Sequence, residues 1–531
     1  MIRVNEIKLD INESINELPK KIARALKVNE NEIVDYSIYR ESIDARRKGK
    51  LFFVYTVDVE LKNEKNIRFK RNVSKTPDYS YKNVESGNKS LKYRPVIIGT
   101  GPSGLFAGLL LAQRGYKPIL IERGKDVDGR SEDVERFWNK RELNTESNIQ
   151  FGEGGAGTFS DGKLTSRSKD LRARKVVEEL VISGAPKEII YSHLPHVGTD
   201  ILKEVVKDIR KRIEELGGEI KFNTKLTSIE LNNESSVEGI IINNEETINT
   251  NALFLGIGHS ARDTYEMLYK KGLKMESKPL SIGVRIEHPQ IMIDKVQYEE
   301  FYDNPRLGAA SYRLSHRASN GRGVYTFCMC PGGMVVAAAS EENMVVTNGM
   351  SEHKRDKDNA NSALLVQVSP EDYEDDNPLS GIKLQREIEK RAFEIGGKNY
   401  NAPIQLVKDF LDNKKTNKIE GVNPSYLPGV TYSNLWDCLP HYICTALKEG
   451  IIDMDKKLKE FGRGDAILTG VETRSSSPVR IIRDKESLQS INIEGIYPIG
   501  EGAGYAGGII SAAIDGIRAA EKIIENYKPF N

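Results

Sequence analysis

Gly99, Gly101 and Gly104 stand at G-x-G-x-x-G spacing directly after the apolar run Val96-Ile97-Ile98. That spacing suits a pyrophosphate: it allows a tight turn, a close approach of backbone to the anion, and a helix packed hard on its strand. A helix opening there points N–H groups and a partial positive charge at the phosphates. Glu122 follows about 20 residues on, where an acid accepts from ribose hydroxyls. A denser glycine cluster, F-G-E-G-G-A-G-T-F-S-D-G-K-L, starts at Phe151. Loops this rich in glycine bring backbone close to something flat or phosphorylated. A third turn spans 500–508, and its Glu501 can accept hydrogen bonds from sugar or ribityl hydroxyls. The shorter turn Gly256-Ile257-Gly258 closes another apolar run. Together these residues predict dinucleotide binding by backbone amides and two acids.

The elements that must hold those turns follow from hydrophobic periodicity. Residues 96–98 form a strand, Leu105, Ala107, Leu109, Leu110 and Leu111 mark a helix, and a second strand near Leu120 ends in Glu122. Ahead of this βαβ unit, residues 1–71 read β-α-β-β, a split ferredoxin-like piece. Its helix carries Ile15, Leu18, Ile22 and Leu26 on one face, and a basic turn, Arg46-Arg47-Lys48-Gly49-Lys50, joins its last two strands. Residues 72–92 are polar and read as a linker. Beyond the unit, 171–184 and 199–216 are amphipathic helices, and 219–222, 227–231, 237–242 and 252–256 are short strands. From about 279 the pattern turns β-rich, with strands at 281–286, 324–330, 334–339 and 362–368 and helices at 381–395 and 431–460. The chain closes on a strand, the 500–508 turn and a helix.

The 531 residues suit two or three domains. A net charge of +1, with 38% hydrophobic and 29% charged residues, favours neither nucleic acid nor membrane as a partner. Cys328, Cys330, Cys438 and Cys444 make no disulfide framework, which points to a reducing cytoplasm. No apolar signal region is visible, and no run approaches the roughly 20 residues of a membrane span.

The glycine turns as a set resemble FAD-binding oxidoreductases of the glutathione-reductase-like superfamily. The match narrows with FGEGGAGTFSDGKL from Phe151, GHSARDT from Gly258, SIGVRIEHPQ from Ser281, FCMCPGG from Phe327, ANSALLVQV from Ala360, GVETRSSSPVRI from Gly470 and YPIGEGAGYAGGIISAAIDGI from Tyr497. With these strings, residues 94–527 resemble the bacterial FAD-dependent dehydrogenase family, the NAD(FAD)-utilising dehydrogenases. The resemblance implies an α/β fold: a Rossmann-like FAD-binding domain, an inserted β-rich substrate domain and the small N-terminal α+β domain. Its expected order is 1–71 for the N-terminal module, 72–92 for the linker, 93–275 for the first part of the FAD domain, 276–460 for the insertion and 461–531 for the last FAD part.

The resemblance also implies where FAD sits. Gly99, Gly101, Pro102, Ser103 and Gly104 meet the pyrophosphate, Glu122 the adenosine ribose, and Arg123 and Arg130 the same half of the cofactor. Gly154, Gly155, Ala156, Gly157 and Thr158 line the ribityl chain and flavin. Leu226 offers backbone to adenine, and Gly256 and Gly258 close the site. Gly500, Glu501, Ala506, Gly507, Gly508 and Ile509 reach the ribityl chain and isoalloxazine. Two departures stand out: Glu501 replaces the commoner aspartate, and Gly256-Ile257-Gly258 replaces the usual A-T-G.

With FAD bound, hydride transfer at the flavin is the default chemistry. A pool of residues is expected to handle the substrate, a small and anionic metabolite. Lys163 and Arg474 supply positive charge, His196 and His259 are proton-donor candidates beside the cofactor turns, and Arg285, Glu287 and His288 leave one strand together. NAD(P)H, with no second fingerprint of its own, is expected only as a transient donor. No C-x-x-C is present, so Cys328 and Cys330 read as buried and inert, at the far limit of disulfide reach on an extended strand. No His or acid beside them has metal-ligand spacing, and no metal is expected. Two other readings remain open. Residues 1–94 carry 21 basic against 14 acidic side chains, so the module could grip RNA, or the chain could be a non-catalytic flavin-binding partner.

Overall fold

The computed structural model describes residues 1–47, 49–65, 67–165 and 170–530. Its centre is a five-stranded parallel sheet in the order Ile496–Pro498, Leu253–Leu255, Val96–Ile98, Ile119–Ile121, Glu219–Lys221. The three middle strands are almost wholly buried apolar triplets, as a parallel sheet covered on both faces requires. Helices Pro102–Gln113 and Ile509–Asn526 pack together on one face, sharing a core with helix Thr199–Glu215. A Cβ on Gly104 would lie 1.9 Å from the carbonyl oxygen of Gly99, so only glycine lets the first helix start so close to its strand. An antiparallel three-stranded sheet, Leu226–Leu231, Val237–Ile242 and Glu246–Asn249, covers the other face.

The β-rich region is a seven-stranded sheet ordered Ser315–Arg317, Gly323–Cys330, Asn359–Val368, Leu280–Pro289, Ile467–Glu472, Ala402–Leu406, Val430–Tyr432. Strand Ile467–Glu472 lies in the interior of this sheet, between Leu280–Pro289 and Ala402–Leu406. The expected return to the FAD domain at 461 is therefore too early. Its local apolar pattern cannot reveal which sheet a strand joins. Helix Val127–Lys140 bridges the two bodies, with Phe137 and Trp138 in the cap core and Trp138 Nε1 donating to Ala337 O at 3.1 Å.

The N-terminal module is a four-stranded sheet, Ile33–Arg47, Lys50–Leu61, Ile2–Asp10, Val73–Lys75, over helix Leu18–Leu26. Its fourth strand falls inside the stretch expected to be linker. The rest of that stretch is tied down as well: Tyr81 Oη donates to Glu521 at 2.7 Å, and Lys89–Ser90 pairs with Tyr527–Lys528. Among the described residues, no helix is long and apolar enough to cross a membrane.

Candidate flavin and substrate site

One cavity of about 960 Å³ opens where the parallel strands end and continues to the seven-stranded sheet. Ligands of open α/β sheets bind at this carboxyl edge. At one end it is lined by Gly99, Gly101, Pro102, Ser103, Glu122, Arg123 and Leu226. Gly155, Ala156, Gly157, Gly256, Gly258, His259, Glu501, Gly507, Gly508 and Ile509 line its middle. Lys163, Tyr312, Arg313, Cys328, Arg355 and Glu472 line the far end.

The nucleotide end is built from backbone. Pro102 opens its helix without an N–H to lose, and this helix start lines the cavity through Gly101, Pro102 and Ser103. Glu122 is buried and accepts from Thr100 N at 2.9 Å, Thr100 Oγ1 at 2.8 Å, Gly124 N at 3.0 Å and Gly152 N at 2.9 Å. These donors occupy both carboxylate oxygens and tie three turns to one acid. Arg123 forks onto Asp263 at 2.9 and 3.0 Å, reaches Glu146 at 2.7 Å, and lies over the Phe151 ring.

Glu501 is the opposite case. Its Oε1 accepts from Ser477 N at 2.5 Å, while its buried Oε2 has no hydrogen-bond partner among the described residues. Burial pushes its pKa up to about 7, with the Ser477 amide and Lys278 pulling the other way. Side chains added at Gly258 or Gly507 would meet nothing within 4 Å, so these turns face open space. A buried orphan acceptor beside open glycine turns fits a cofactor that carries hydroxyls on a chain and a flat ring.

Residues 279–475 match the family model "FAD-dependent protein, C-terminal domain-like", and residues 97–156 match "NAD(P)-binding Rossmann-like domain". Residues 1–60 match a domain of unknown function. A protein of Clostridium beijerinckii, described as uncharacterized, is 52% identical over 530 residues and covers 99% of both chains. The chain belongs to this bacterial family of FAD-dependent proteins. FAD is its cofactor, and the flavoprotein is an oxidoreductase by class. Among solved structures, a variant of the halogenase PltM in complex with FAD is 12% identical over 82% of this chain and 69% of its own, with a TM-score of 0.39. Glycine oxidase from Bacillus cereus is 11% identical over 81% and 95%, with a TM-score of 0.32. Overlaps this low carry no argument about the reaction.

Several expected site residues of the flavoprotein serve elsewhere. Arg130 does not line the cavity. It is fully buried, and it donates to the carbonyls of Asn148, Ile149, Gly152, Glu153 and Gly155, so it holds the glycine loop in shape from behind. Burial pushes its pKa down to about 10. Gly104, Gly154, Thr158, Gly500 and Ala506 also lie outside the lining. Thr158 Oγ1 turns inward to Glu153 O at 3.1 Å, and Gly500 N is spent on Asp515 at 2.8 Å.

Arg474 lines the cavity but is no anion clamp. Its guanidinium forks onto Glu389 at 3.0 and 2.8 Å and reaches Ser260 and Ser340. Glu389 also binds Arg262 at 2.9 and 2.7 Å, so a buried triad consumes the charge. His288 is buried, bonded to Phe461 O at 2.7 Å, and pushed down to about 4 by burial. It is a neutral core residue. His196 stacks on His353, bonds its backbone oxygen at 3.0 Å, and lies outside the lining. His259 does line the cavity, yet burial, then Arg474 and Arg262, push its pKa down to about 3. It acts near neutral pH as a neutral hydrogen-bonding group. Lys163 is at the far end, where its Nζ donates to Met329 O.

Arg285 does not pair with Glu287, its neighbour on one face of the strand. Glu287 takes hydrogen bonds from Ser425 and Asn359, while Arg285 Nη1 donates to both oxygens of Glu472 on the neighbouring strand, at 2.8 and 3.0 Å. Glu472 is pushed up to about 7 by burial despite that partner. Sequence reasoning missed Glu472, Tyr312, Arg313 and Arg355, and it read Cys328 as buried and inert. Only the E-T-R run that ends strand Ile467–Glu472 hinted at the first. The RNA reading finds no support: Arg46 of the basic turn forks onto Asp44, which also holds Lys8, while Lys48 lies outside the described residues.

Proposed function

We propose that this flavoprotein is a dehydrogenase or reductase that exchanges a hydride between FAD and a small anionic metabolite, with NAD(P)H as a transient donor. The observation behind the reading is the cavity's extension past the glycine turns to the cap sheet, where the exposed Arg313 forms no ion pair among the described residues. When bound, FAD supplies two-electron hydride chemistry. The amides after Gly101 hold the pyrophosphate, Glu122 orders the turns that meet the ribose, and Leu226 offers backbone to adenine. Glu501 Oε2 receives a ribityl hydroxyl. Arg313 and Lys163 draw in and orient a carboxylate, and His259 steers by hydrogen bonding without carrying charge. The reducing cytoplasm suits such an enzyme with unpaired cysteines.

The test is anaerobic stopped-flow reduction by NADH and NADPH, followed by reoxidation with a panel of anionic metabolites. Bleaching of the flavin band by one donor and its return with one acceptor support the reading. Flavin that no donor reduces would sink it and favour a non-catalytic flavin-binding protein.

A further inference from the structure

Strand Gly323–Cys330 loses its alternation near its end. Phe327 pairs with Ala363 but Cys330 with Asn361, so three steps on one strand match two on its neighbour. That is a β-bulge, a device that re-aims side chains beside functional sites. Cys328, inside the bulge, adopts φ +42°, in the left-handed region that non-glycine residues seldom occupy. The outcome is that half-buried Cys328 lines the far end of the cavity, while Cys330 stays buried behind it.

The two thiols sit in one polar frame. Cys330 Sγ donates to Cys328 O at 3.3 Å. Arg285 Nη2 donates to Cys328 O at 2.5 Å and approaches Cys330 Sγ at 3.6 Å. Lys163 holds the carbonyl of Met329, the residue between them. Tyr312, only 6% exposed, lines the same part of the cavity, with its hydroxyl beside Ser362.

We propose that Cys328 and Cys330 form a dithiol site for a small anionic disulfide. The proposal rests on the reading that a second reactant enters the far end of the cavity. Cys328 thiolate attacks one sulfur of the disulfide, forming a mixed disulfide and expelling the first thiolate. Cys330 then loses its proton and attacks Cys328 Sγ, which expels the second thiolate and leaves a Cys328–Cys330 disulfide. The substrate gains two electrons and the pair loses two. The pair returns to the dithiol on accepting two electrons and two protons from a two-electron reductant, a class that includes reduced flavin.

Exposure assigns the roles in that order, because Cys328 lines the cavity and Cys330 is buried behind it. The neighbouring Cys330 thiol, then Arg285 and Lys163, push the Cys328 thiol down to about 6 against the cost of burial, and Cys330 is pushed up. Cys438 and Cys444 are fully buried and pushed up by burial, so neither competes. At neutral pH a thiol near 6 is ~100-fold more ionised than one near 9.

The holoenzyme titrated with 5,5′-dithiobis(2-nitrobenzoate), itself an anionic disulfide, tests the proposal. The wild type is expected to release two equivalents of thionitrobenzoate rapidly, keep no adduct, and lose two hydrogen masses. Cys330→Ser is expected to release one equivalent and retain the adduct, and Cys328→Ser to react ~100-fold more slowly. A Cys328→Ser rate equal to wild type, or a wild-type adduct as lasting as that of Cys330→Ser, overturns it. A measurement that needs no variant is the pH profile of iodoacetamide labelling with the labelled site mapped. Cys328 labelled first, with a midpoint near 6, supports the proposal, and another cysteine labelled first refutes it. Flavin absorbance recorded on the same samples reports FAD content separately, so loss of the cofactor reading is not mistaken for loss of the thiol reading.

Discussion

At the nucleotide end of the cavity the chain satisfies its own charges; from the glycine turns onward it leaves some of its polar groups open to a guest. Glu122 accepts four hydrogen bonds from Thr100, Gly124 and Gly152, and Arg123 is held by Asp263 and Glu146. From the glycine turns onward, among the described residues, Glu501 keeps an orphan oxygen and Arg313 forms no ion pair, while Glu472 and Cys328 are both pushed toward neutral pH. The difference teaches where rigidity and where reactivity belong. A pyrophosphate needs preformed amides in fixed places, so its support is saturated and inert. Chemistry needs groups poised to change protonation, and perturbed titratable groups gather where that is required.

The hardest blow to the saturated end is Arg130→Met. Five carbonyls lose their donor inside the protein, and the glycine loop loses its shape. We expect destabilisation on the order of 3–5 kcal/mol and loss of bound FAD, measured by denaturant unfolding and by the flavin-to-protein absorbance ratio. Glu122→Gln keeps the shape but turns an acceptor into a donor facing amide N–H groups. Its FAD dissociation constant should rise about 10- to 100-fold, matching the ~1–3 kcal/mol cost of a buried unpaired polar group.

Glu501→Gln sharpens the contrast through pH. The Glu501 carboxyl is held near 7 by burial, well above the 4.5 of the unfolded chain. In the apoprotein its stabilising contribution is present below pH 4.5 and is lost as pH rises through 7, by at most about 3 kcal/mol, because the folded state keeps a proton the unfolded chain has released. A hydroxyl donated to Oε2 favours the ionised form, so FAD should bind tighter from pH 5 to pH 8, by about 10-fold. Glu501→Gln should flatten that profile in a flavin-fluorescence titration, whereas Glu122→Gln should shift it without flattening it. The smallest effect is expected of Arg313→Ala. Stability should change by less than about 0.5 kcal/mol, as for an exposed site, with KM for an anionic substrate raised several-fold and kcat nearly unchanged. An equal loss of kcat would place Arg313 closer to the reacting atoms than a steering role allows.

Much of the saturated end was legible from residue order. The G-x-G-x-x-G turn, its flanking strand and helix, and Glu122 obey short-range rules of backbone geometry, and the structure assembles them as spaced. The poised end was not legible. Arg285 reads as the partner of Glu287 two positions on, yet its charge is taken by Glu472, 187 positions away. Arg474 looks free in a run of serines, yet Glu389, 85 positions away, consumes its charge. Cys328 and Cys330 read as inert on a regular strand until a one-residue slip against Asn359–Val368 turns one of them into the cavity.

The sequence by itself determined the cofactor class and the parallel sheet that carries it, because turns, helix starts and buried strands are written in neighbouring residues. Only the tertiary structure decided which charges are spent and which remain free. A charge in a protein interior acts according to its nearest partners, and those partners are set by packing between distant segments rather than by spacing along the chain.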